Sequence, residues 1–323
     1  MSDKKTHKTS VGGQALIEGV MMQGPKGVAT AVRKPDGDIC VEHHEVKHLR
    51  DKNKFWGFPL VRGIVGFFES MMLGYKMLMY SAEVSGMEDI EDAEMNKFEK
   101  WITDKLGDKF MTLIMGIATV LGFALAFLIF FYLPVLAFNR LNAWADGSLT
   151  SWQGTIEGVI KIIIFVVYIA LVSRMNDIKR TFMYHGAEHK SIACYENGLE
   201  LTVENVKKCS RFHPRCGTSF IFVMLILSIV LSTLLSKIFP AVAEIRVLWM
   251  LLKIAFLPVV MGFGYEFIKY AGRHDNLFVK IVSAPGLWMQ RLTTKEPTDD
   301  IIEVGIASLK AVITDNPEDD EIR

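Results

Sequence analysis

The chain has 323 residues, half of them hydrophobic, with 36 basic and 36 acidic side chains. This apolar fraction and the positive mean hydropathy are high for a water-soluble domain and low for a chain made only of membrane helices. We therefore expect a mainly α membrane protein, partly in lipid and partly in water. The net charge of zero gives no information about acidic or nucleic-acid partners, and no nucleic-acid partner is predicted.

Residues 1–54 are predicted to form a small N-terminal β-meander. Apolar and polar side chains alternate through 28–32 and 39–41, and the Lys34–Asp38 run between them has Pro and Gly in positions typical of a turn. The polar N-terminus lacks the apolar core of a signal peptide. The glycine-rich run from Gly12 to Met22 resembles no phosphate-binding loop, because it lacks the Gly-Lys-Ser/Thr ending.

Residues 55–109 are predicted to contain an amphipathic helix from Phe55 to Tyr80 and an acidic helical segment from Glu88 to Glu99. Three charged side chains recur every seven residues along one face of the first helix; they are Arg62, Glu69 and Lys76. Charges at such positions disfavour a membrane span. We expect the helix to lie at the membrane surface or against the helical bundle; the alternative is a re-entrant or fifth spanning helix.

Four stretches are long and apolar enough to cross a bilayer, two within 110–173 and two within 218–267. For any one of them the alternative is a buried helix of a large soluble core. Pro134 and Pro258 are expected to kink their helices. The four predicted spans are Phe110 to Phe138, Ile156 to Ser173, Thr218 to Phe239, and Arg246 to Phe267.

The connection between the middle two spans, residues 174–217, carries eight Lys and Arg side chains, far more than the two short connections. By the positive-inside rule this loop and both termini are expected in the cytoplasm of a cell whose plasma membrane holds the protein. The four cysteines do not have the regular spacing of a secreted disulfide framework, so we interpret them as reduced thiols.

The C-terminal segment, residues 268–323, is expected on the same cytoplasmic side. It contains a short apolar run from Pro285 to Leu292. A helix capped by Thr298 is predicted to follow and to end near Val312, because acidic residues begin it and Lys310 lies near its end. The last residues, Asp315 to Arg323, are predicted to be a disordered tail.

The cytoplasmic loop carries the most reactive side chains. His185 and His189 are one helical turn apart with Glu188 beside them, in the His-x-x-Glu-His order of inverted zinc-protease motifs. Two imidazoles at this spacing can share a metal ion, and a neighbouring carboxylate can take a proton from water. We expect the segment to extend the helix of the second span.

His213 and Cys216, just before the third span, add two donors that can meet the first pair if the loop folds back. The intervening Ala193–Glu200 run is predicted to be a hairpin, and 202–208 a short helix capped by Thr202. We predict a site for zinc, or another divalent transition metal, because imidazole and thiolate suit zinc. The alternative is a basic surface facing lipid headgroups, with histidines that only form hydrogen bonds.

The chain resembles the YqhQ family of bacterial membrane proteins over nearly its whole length. The motifs that carry the resemblance are Gly12–Met22, Tyr184–Lys190, His213–Thr218 and Pro285–Thr294. The family has no established function and is often described as a predicted metal-dependent enzyme. The resemblance implies site positions at His185, Glu188, His189, His213 and Cys216. It does not include Cys209, which is therefore the weakest ligand candidate.

Three functions remain open. The first is a zinc-dependent membrane-embedded hydrolase, with Glu188 as the catalytic base and a lipid-linked or membrane-protein substrate. The second is a non-catalytic membrane scaffold or assembly factor with a structural zinc site. A transporter is third, because the spans contain few charges, chiefly Lys253 and Glu266, and no inverted repeat. The oligomeric state is not indicated by the sequence.

Overall fold

The computed structural model describes residues 8–46, 49, 53–86, 113–114, 116–274, 276–314 and 316–321. The predicted acidic segment from Glu88 to Glu99 and the start of the first predicted span lie outside these residues. The chain divides into two compact units. The first contains Met1–Gly86, Ile169–Met224 and Pro258–Arg323, and the second contains Met87–Tyr168 and Leu225–Leu257.

The N-terminal strands form one antiparallel sheet in the order β1-β2-β3-β4, which confirms the predicted meander. The strands are β1 (Gly12–Leu16), β2 (Gly19–Gly24), β3 (Gly27–Arg33) and β4 (Ile39–His44). The β3–β4 turn is closed by a hydrogen bond from the Lys34 amide to the Asp38 carbonyl (2.9 Å). Gly37 in this turn has a φ angle of 93°, which residues other than glycine rarely adopt.

The helices in chain order are α1 (Val61–Val84), α2 (Gly116–Trp144), α3 (Thr150–Val172), α4 (Asn176–Glu196), α5 (Val203–Lys208), α6 (Gly217–Ile238), α7 (Pro240–Glu244), α8 (Arg246–Arg273), α9 (Leu277–Thr293) and α10 (Asp299–Val312). Within the described residues, four of them are long and apolar enough to cross a membrane, namely α2, α3, α6 and α8. The predicted number of spans is confirmed.

Both predicted kinks coincide with irregular helix geometry. A π-helical stretch, Leu128–Tyr132, immediately precedes Pro134 in α2. In α8 the helical hydrogen bonding is interrupted at Phe256, between Arg246–Ala255 and Leu257–Arg273, directly before Pro258. A proline donates no amide hydrogen bond and crowds the carbonyl of the preceding turn, so the helix widens or breaks there.

The sheet of the first unit is covered on both faces, which explains why β2 and β3 are almost entirely apolar. Val20 and Met22 point to one face, where they share a core with Tyr184 and Ala187 of α4 and with α10. Met21 points to the opposite face and packs with Met77 of α1. The unit therefore has three layers, with α1 on one side and α4 and α10 on the other.

Three local predictions are wrong. The Ala193–Glu200 run is not a hairpin: α4 continues to Glu196, and Gly198, with φ of 64°, ends it. The amides of Gly198 and Leu199 donate to the carbonyls of Tyr195 (2.9 Å) and Cys194 (3.1 Å), which is a Schellman helix end. The Asn-Gly pair that resembles a hairpin turn is thus a helix cap.

The second error concerns the C-terminal tail, which was predicted to be disordered: Pro317–Asp320 forms a 3-10 helix, and the Thr9 hydroxyl donates a hydrogen bond to the Asp320 carboxylate (2.7 Å). The apolar run from Pro285 to Leu292 belongs to the longer helix α9. Asn276 caps this helix by accepting a hydrogen bond from the Val279 amide (2.9 Å), and Pro285 lies inside it. The third concerns α4, which does not continue the second span. A break separates α3, ending at Val172, from α4, whose N-cap is Met175. The predicted helix after Thr298 is confirmed as α10.

The apolar helices of the second unit contain a buried ionic cluster. Glu157 of α3 is almost fully buried and accepts hydrogen bonds from the indole of Trp249 (2.9 Å) and the amide of Gln153 (2.9 Å). Lys253 of α8 forms an ion pair with the same carboxylate. Because a buried charge is costly unless it is paired, this cluster holds α3 and α8 in one register.

We predict that Glu157→Leu destabilises the protein by about 3–5 kcal/mol, because it leaves the Lys253 ammonium buried without its counter-ion. The double variant Glu157→Leu with Lys253→Met replaces the pair by apolar groups and is expected to recover most of the loss. The measurement is the free energy of unfolding in detergent micelles, compared for Glu157→Leu, Lys253→Met and the double variant. Equal losses in the single and double variants would contradict the pairing.

Candidate metal centre

Helix α4 brings the histidines of the His-x-x-Glu-His motif together. His185 and His189 are one turn apart on the same face, and the centres of their rings are 4.4 Å apart. His189 is almost fully buried, because α4 packs between the sheet, α10 and the loop before α6. The helical expectation for this segment is confirmed.

Cys216 completes a group of three donors. It immediately precedes α6, and its Sγ lies 3.1 Å from Nε2 of His185. One ligand atom from each of His185, His189 and Cys216 lies within 4.8 Å of the other two. The loop therefore folds back as the sequence predicted for these residues, and this group could hold a metal ion.

Backbone carbonyl groups orient both imidazoles. Nδ1 of His185 lies 2.9 Å from the carbonyl oxygen of Thr293, and Nδ1 of His189 lies 2.6 Å from that of Arg211. A carbonyl can only accept, so Nδ1 carries the proton in each neutral ring and the lone pair of Nε2 is available as a ligand. This is the arrangement that metal-binding histidines usually have.

Glu188 is buried beside the two histidines. It accepts a hydrogen bond from the amide of Gly13 in β1, whereas its Oε2 atom is buried without a hydrogen-bond partner among the described residues. Burial raises the pKa of the Glu188 carboxyl to about 7, although the neighbouring His185 and the Gly13 amide act in the opposite direction. A buried carboxyl oxygen without a partner is uncommon and points to a functional role.

His213 lies next to the three-residue group and outside it. Its ring centre is 5.6 Å from that of His189, and its Nε2 lies 3.5 Å from a carboxylate oxygen of Glu196. Arg215 forms an ion pair with the same carboxylate. Gln290 of α9 accepts from the His213 amide (2.8 Å) and donates to its carbonyl (2.7 Å), so the backbone of this residue is held in place.

The remaining thiols lie elsewhere. Cys209 packs beside Cys194, with which it forms a hydrogen bond, in a small core between α4, α5 and α10. Its own Sγ donates to the Asn205 carbonyl (3.4 Å). Cys209 is therefore not a member of the metal-ligand group, in agreement with its low rank in the sequence analysis.

The N-terminal glycine motif, which the sequence left unexplained, supports α4. Glu18 forms an ion pair with Arg180 and accepts a hydrogen bond from the hydroxyl of Tyr184 (3.0 Å), the residue immediately before His185. Gly13 brings its backbone against Glu188: a Cβ atom there would overlap the Met21 carbonyl and lie 3.2 Å from the Glu188 carboxyl carbon. The motif therefore positions the helix that carries the candidate site.

Three further residues of the site were not identified from the sequence, namely Glu196, Gln290 and Thr293. Gln290 and Thr293 belong to the fourth motif of the family resemblance, so the motif itself was the available signal. Without the fold, nothing connects that motif to the histidines about one hundred residues earlier in the chain.

The donor set fits a divalent transition metal. Two imidazole nitrogens and one thiol converge, and hydrogen bonds hold both imidazole rings. On α4, the helix of the two histidines, a carboxyl oxygen of Glu188 is buried without a hydrogen-bond partner among the described residues. Imidazole and thiolate are ligands that zinc and its neighbours accept readily. These observations do not distinguish one metal from another.

Together, the four apolar helices and the layered unit with its His-Cys group define a multi-pass membrane protein with a possible metal site. The chain belongs to a family described as "Protein of unknown function (DUF1385)", whose model matches residues 58–315. It is 36% identical over 305 residues, 94% of this chain and 92% of the relative, to "Uncharacterized protein YqhQ" of Bacillus subtilis (strain 168). No solved structure matches the chain. The family resemblance is thus confirmed.

We predict that Gly13→Ala destabilises the protein by about 1–3 kcal/mol, because the added methyl group overpacks β1 against Met21 and Glu188. Gly12→Ala is the matched control, since a Cβ atom there would meet nothing within 4 Å. The free energies of unfolding of the two variants check the prediction. If both variants were as stable as the wild type, the close approach of β1 to Glu188 would be refuted.

Proposed function

We propose that the protein is a zinc-dependent membrane-embedded hydrolase with its site at the cytoplasmic face of the plasma membrane. One observation carries this proposal: two oriented imidazoles of α4 converge with the thiol of Cys216, and a buried carboxyl group lies on the same helix as the imidazoles. In this function His185, His189 and Cys216 hold the ion, and Glu188 is the catalytic base.

Three protein donors suit a catalytic site, because a tetrahedral ion then keeps one open position. When bound, zinc acts as a Lewis acid that makes water more acidic and polarises a carbonyl or phosphoryl oxygen. Glu188 contributes its Oε2 atom, which accepts the proton of the attacking water. The water oxygen forms the new bond to the substrate, the bond to the leaving group breaks, and the carboxyl group returns the proton to that group.

The location rests on charge distribution. The connection that carries the site is rich in Lys and Arg, which favours the cytoplasmic side. The donors come from the residue before α6 and from a helix that follows α3, so the site lies next to the ends of two apolar helices. A substrate held in the membrane, either lipid-linked or a membrane protein, fits this placement best.

A second function is a non-catalytic scaffold or assembly factor in which zinc only fastens the loop. The position of His213 favours it, since its ring centre lies 5.6 Å from that of His189 and its imidazole is a candidate for a fourth donor. Four protein ligands would close the site to water. The two functions therefore differ in whether His213 binds the ion.

We predict that metal content separates these possibilities. Variants His185→Ala, His189→Ala and Cys216→Ser should each lose most of the bound metal, whereas Glu188→Gln and the exposed-site control His43→Ala should retain it. In the hydrolase His213→Ala also retains the metal, while in the scaffold it loses it. Elemental analysis of the purified full chain measures all six. Unchanged metal content in the first three variants would refute the site.

We further predict that Glu188→Gln lowers turnover by about 10²–10⁴-fold, the usual contribution of a positioned base. The measurement is release of hydrolysis products from lipid-linked and membrane-peptide substrates in proteoliposomes, at equal metal content. His43→Ala should retain wild-type turnover. A Glu188→Gln variant that keeps full activity would show that this residue is not the base, even if the metal site is correct.

A further inference from the structure

Helix α9 has a surface that its role in the site does not explain. Leu277, Ile281 and Trp288 are exposed by 72%, 62% and 51%, and Phe278 by 59%. Positions 277, 281 and 288 are separated by one and two helical turns, so these side chains form one stripe along the helix. A contiguous apolar surface of this kind usually contacts something other than water.

The opposite face of α9 already has its partners. Gln290 holds the backbone of His213, and the carbonyl of Thr293 accepts from His185. Val279, Ser283 and Met289 are buried on the same side. The helix is thus apolar on the outside and packed against protein on the inside, and the exposed stripe is not required for the core of the first unit.

α9 contacts two of the apolar helices near their ends. The centre of the Phe278 ring is 6.0 Å from that of Phe267 in α8. Gly286 lies so close to Ser219 of α6 that a Cβ atom there would be 2.6 Å from the Ser219 Cα. Both contacts are made with helices long and apolar enough to cross the bilayer. The stripe is therefore continuous with surfaces that face lipid.

Residues at the start of α1 lie beside the same stretch of α8. A Cβ atom on Gly63 would be 2.7 Å from Cβ of Tyr265 and 3.1 Å from Cα of Gly262. Just before this helix, Phe55 and Phe58 are exposed by more than half. Large aromatic side chains left in this position are typical of protein that meets the membrane interface.

The charge of α9 also fits a lipid surface. Its two charged residues, Lys280 and Arg291, are both basic, and both are exposed. A helix with an apolar stripe of Leu, Phe, Ile and Trp and with only basic charges binds the interface of a bilayer that contains anionic headgroups.

We propose that α9 is an in-plane membrane helix whose Leu277, Ile281 and Trp288 stripe enters the bilayer that α6 and α8 cross. The occupant of this surface is lipid, with Lys280 and Arg291 at the level of the headgroups. Since the inner face of α9 holds His185 and His213, the candidate site lies about one helix diameter, roughly 10 Å, from the acyl chains. The lipid contact of α9 does not depend on the proposed function. The distance to the acyl chains bears on substrate access only if the proposed hydrolase function is correct.

The test uses the full chain in nanodiscs of phosphatidylcholine with phosphatidylglycerol. A benzophenone amino acid replaces Ile281 or Trp288, and Lys310, an exposed residue of α10, provides the control position. After illumination, mass spectrometry identifies what each position has captured. Phospholipid adducts at 281 and 288, many-fold more abundant than at 310, are expected. Adducts to a second copy of the chain, or a yield of lipid adducts no higher than at 310, would overturn the proposal.

A second measurement requires no new reactive group. Brominated lipids quench tryptophan fluorescence, and the difference between the wild type and Trp288→Phe isolates the contribution of Trp288. Bromines near the ester groups should quench this contribution more strongly than bromines near the chain ends, because an in-plane helix is shallow. Equal or stronger quenching by the deeper bromines would indicate a spanning helix, and no quenching by either would indicate a surface in water. Both results overturn the proposal, and neither bears on metal binding.

Discussion

Burial of a polar helix is the constraint on which the rest of the structure depends. α4 places Glu188, His189 and Lys190 where each is at most 5% exposed. Such groups need partners, because an unpaired polar group in the interior costs free energy that packing alone does not return. Lys190 donates to the Lys207 carbonyl (2.9 Å) and pairs with Glu296 (2.8 Å). The imidazoles use backbone carbonyls. On this helix, Oε2 of Glu188 and Oγ of Ser191 are buried without a hydrogen-bond partner among the described residues.

This constraint links parts of the chain that are distant in sequence. Gly13 and Glu18 connect the sheet to α4 through hydrogen bonds to Glu188 and Tyr184. The last turn of α9 is connected to α4 by the hydrogen bond between the Thr293 carbonyl and His185. The ion pair of Glu296 with Lys190 and Arg211 joins the α9–α10 connection to the same centre. The site is thus a meeting point of all four motifs that carry the family resemblance, one of which supplies the thiol of Cys216.

Local features of the sequence predicted the local structure well. Hydropathy identified the apolar helices, alternation identified the strands, and the spacing of His185 and His189 predicted that they share a helix face. Prediction failed where a local signal has two structural meanings, as with Asn197-Gly198, which is typical both of hairpin turns and of helix ends. It also failed for contacts that only the fold creates: nothing local connects Gly13 to Glu188, or Thr293 to His185.

The charges in the apolar helices are a further case in which the sequence does not reveal contacts created by the fold. Lys253 and Glu266 stood out in the sequence, but the ion pairs that they form did not. Lys253 pairs with Glu157, and Glu266 accepts two hydrogen bonds from Arg62 of α1 (2.7 and 2.5 Å). Arg62 was one of the charges that argued against a span from 55 to 80, and its partner at the end of α8 explains how α1 can start beside an apolar helix. Each of these charges is thus satisfied by a partner within the fold, and the pairs give no support to a transport pathway.

The central claim is that His185, His189 and Cys216 bind one divalent ion together. X-ray absorption at the metal edge of the purified protein tests it most directly, because sulfur and nitrogen neighbours are distinguished by distance. For zinc the account predicts one sulfur at about 2.3 Å and nitrogen neighbours at about 2.0–2.1 Å, with the sulfur shell lost in Cys216→Ser. A metal surrounded only by oxygen and nitrogen in the wild type, or a spectrum unchanged by Cys216→Ser, would contradict it.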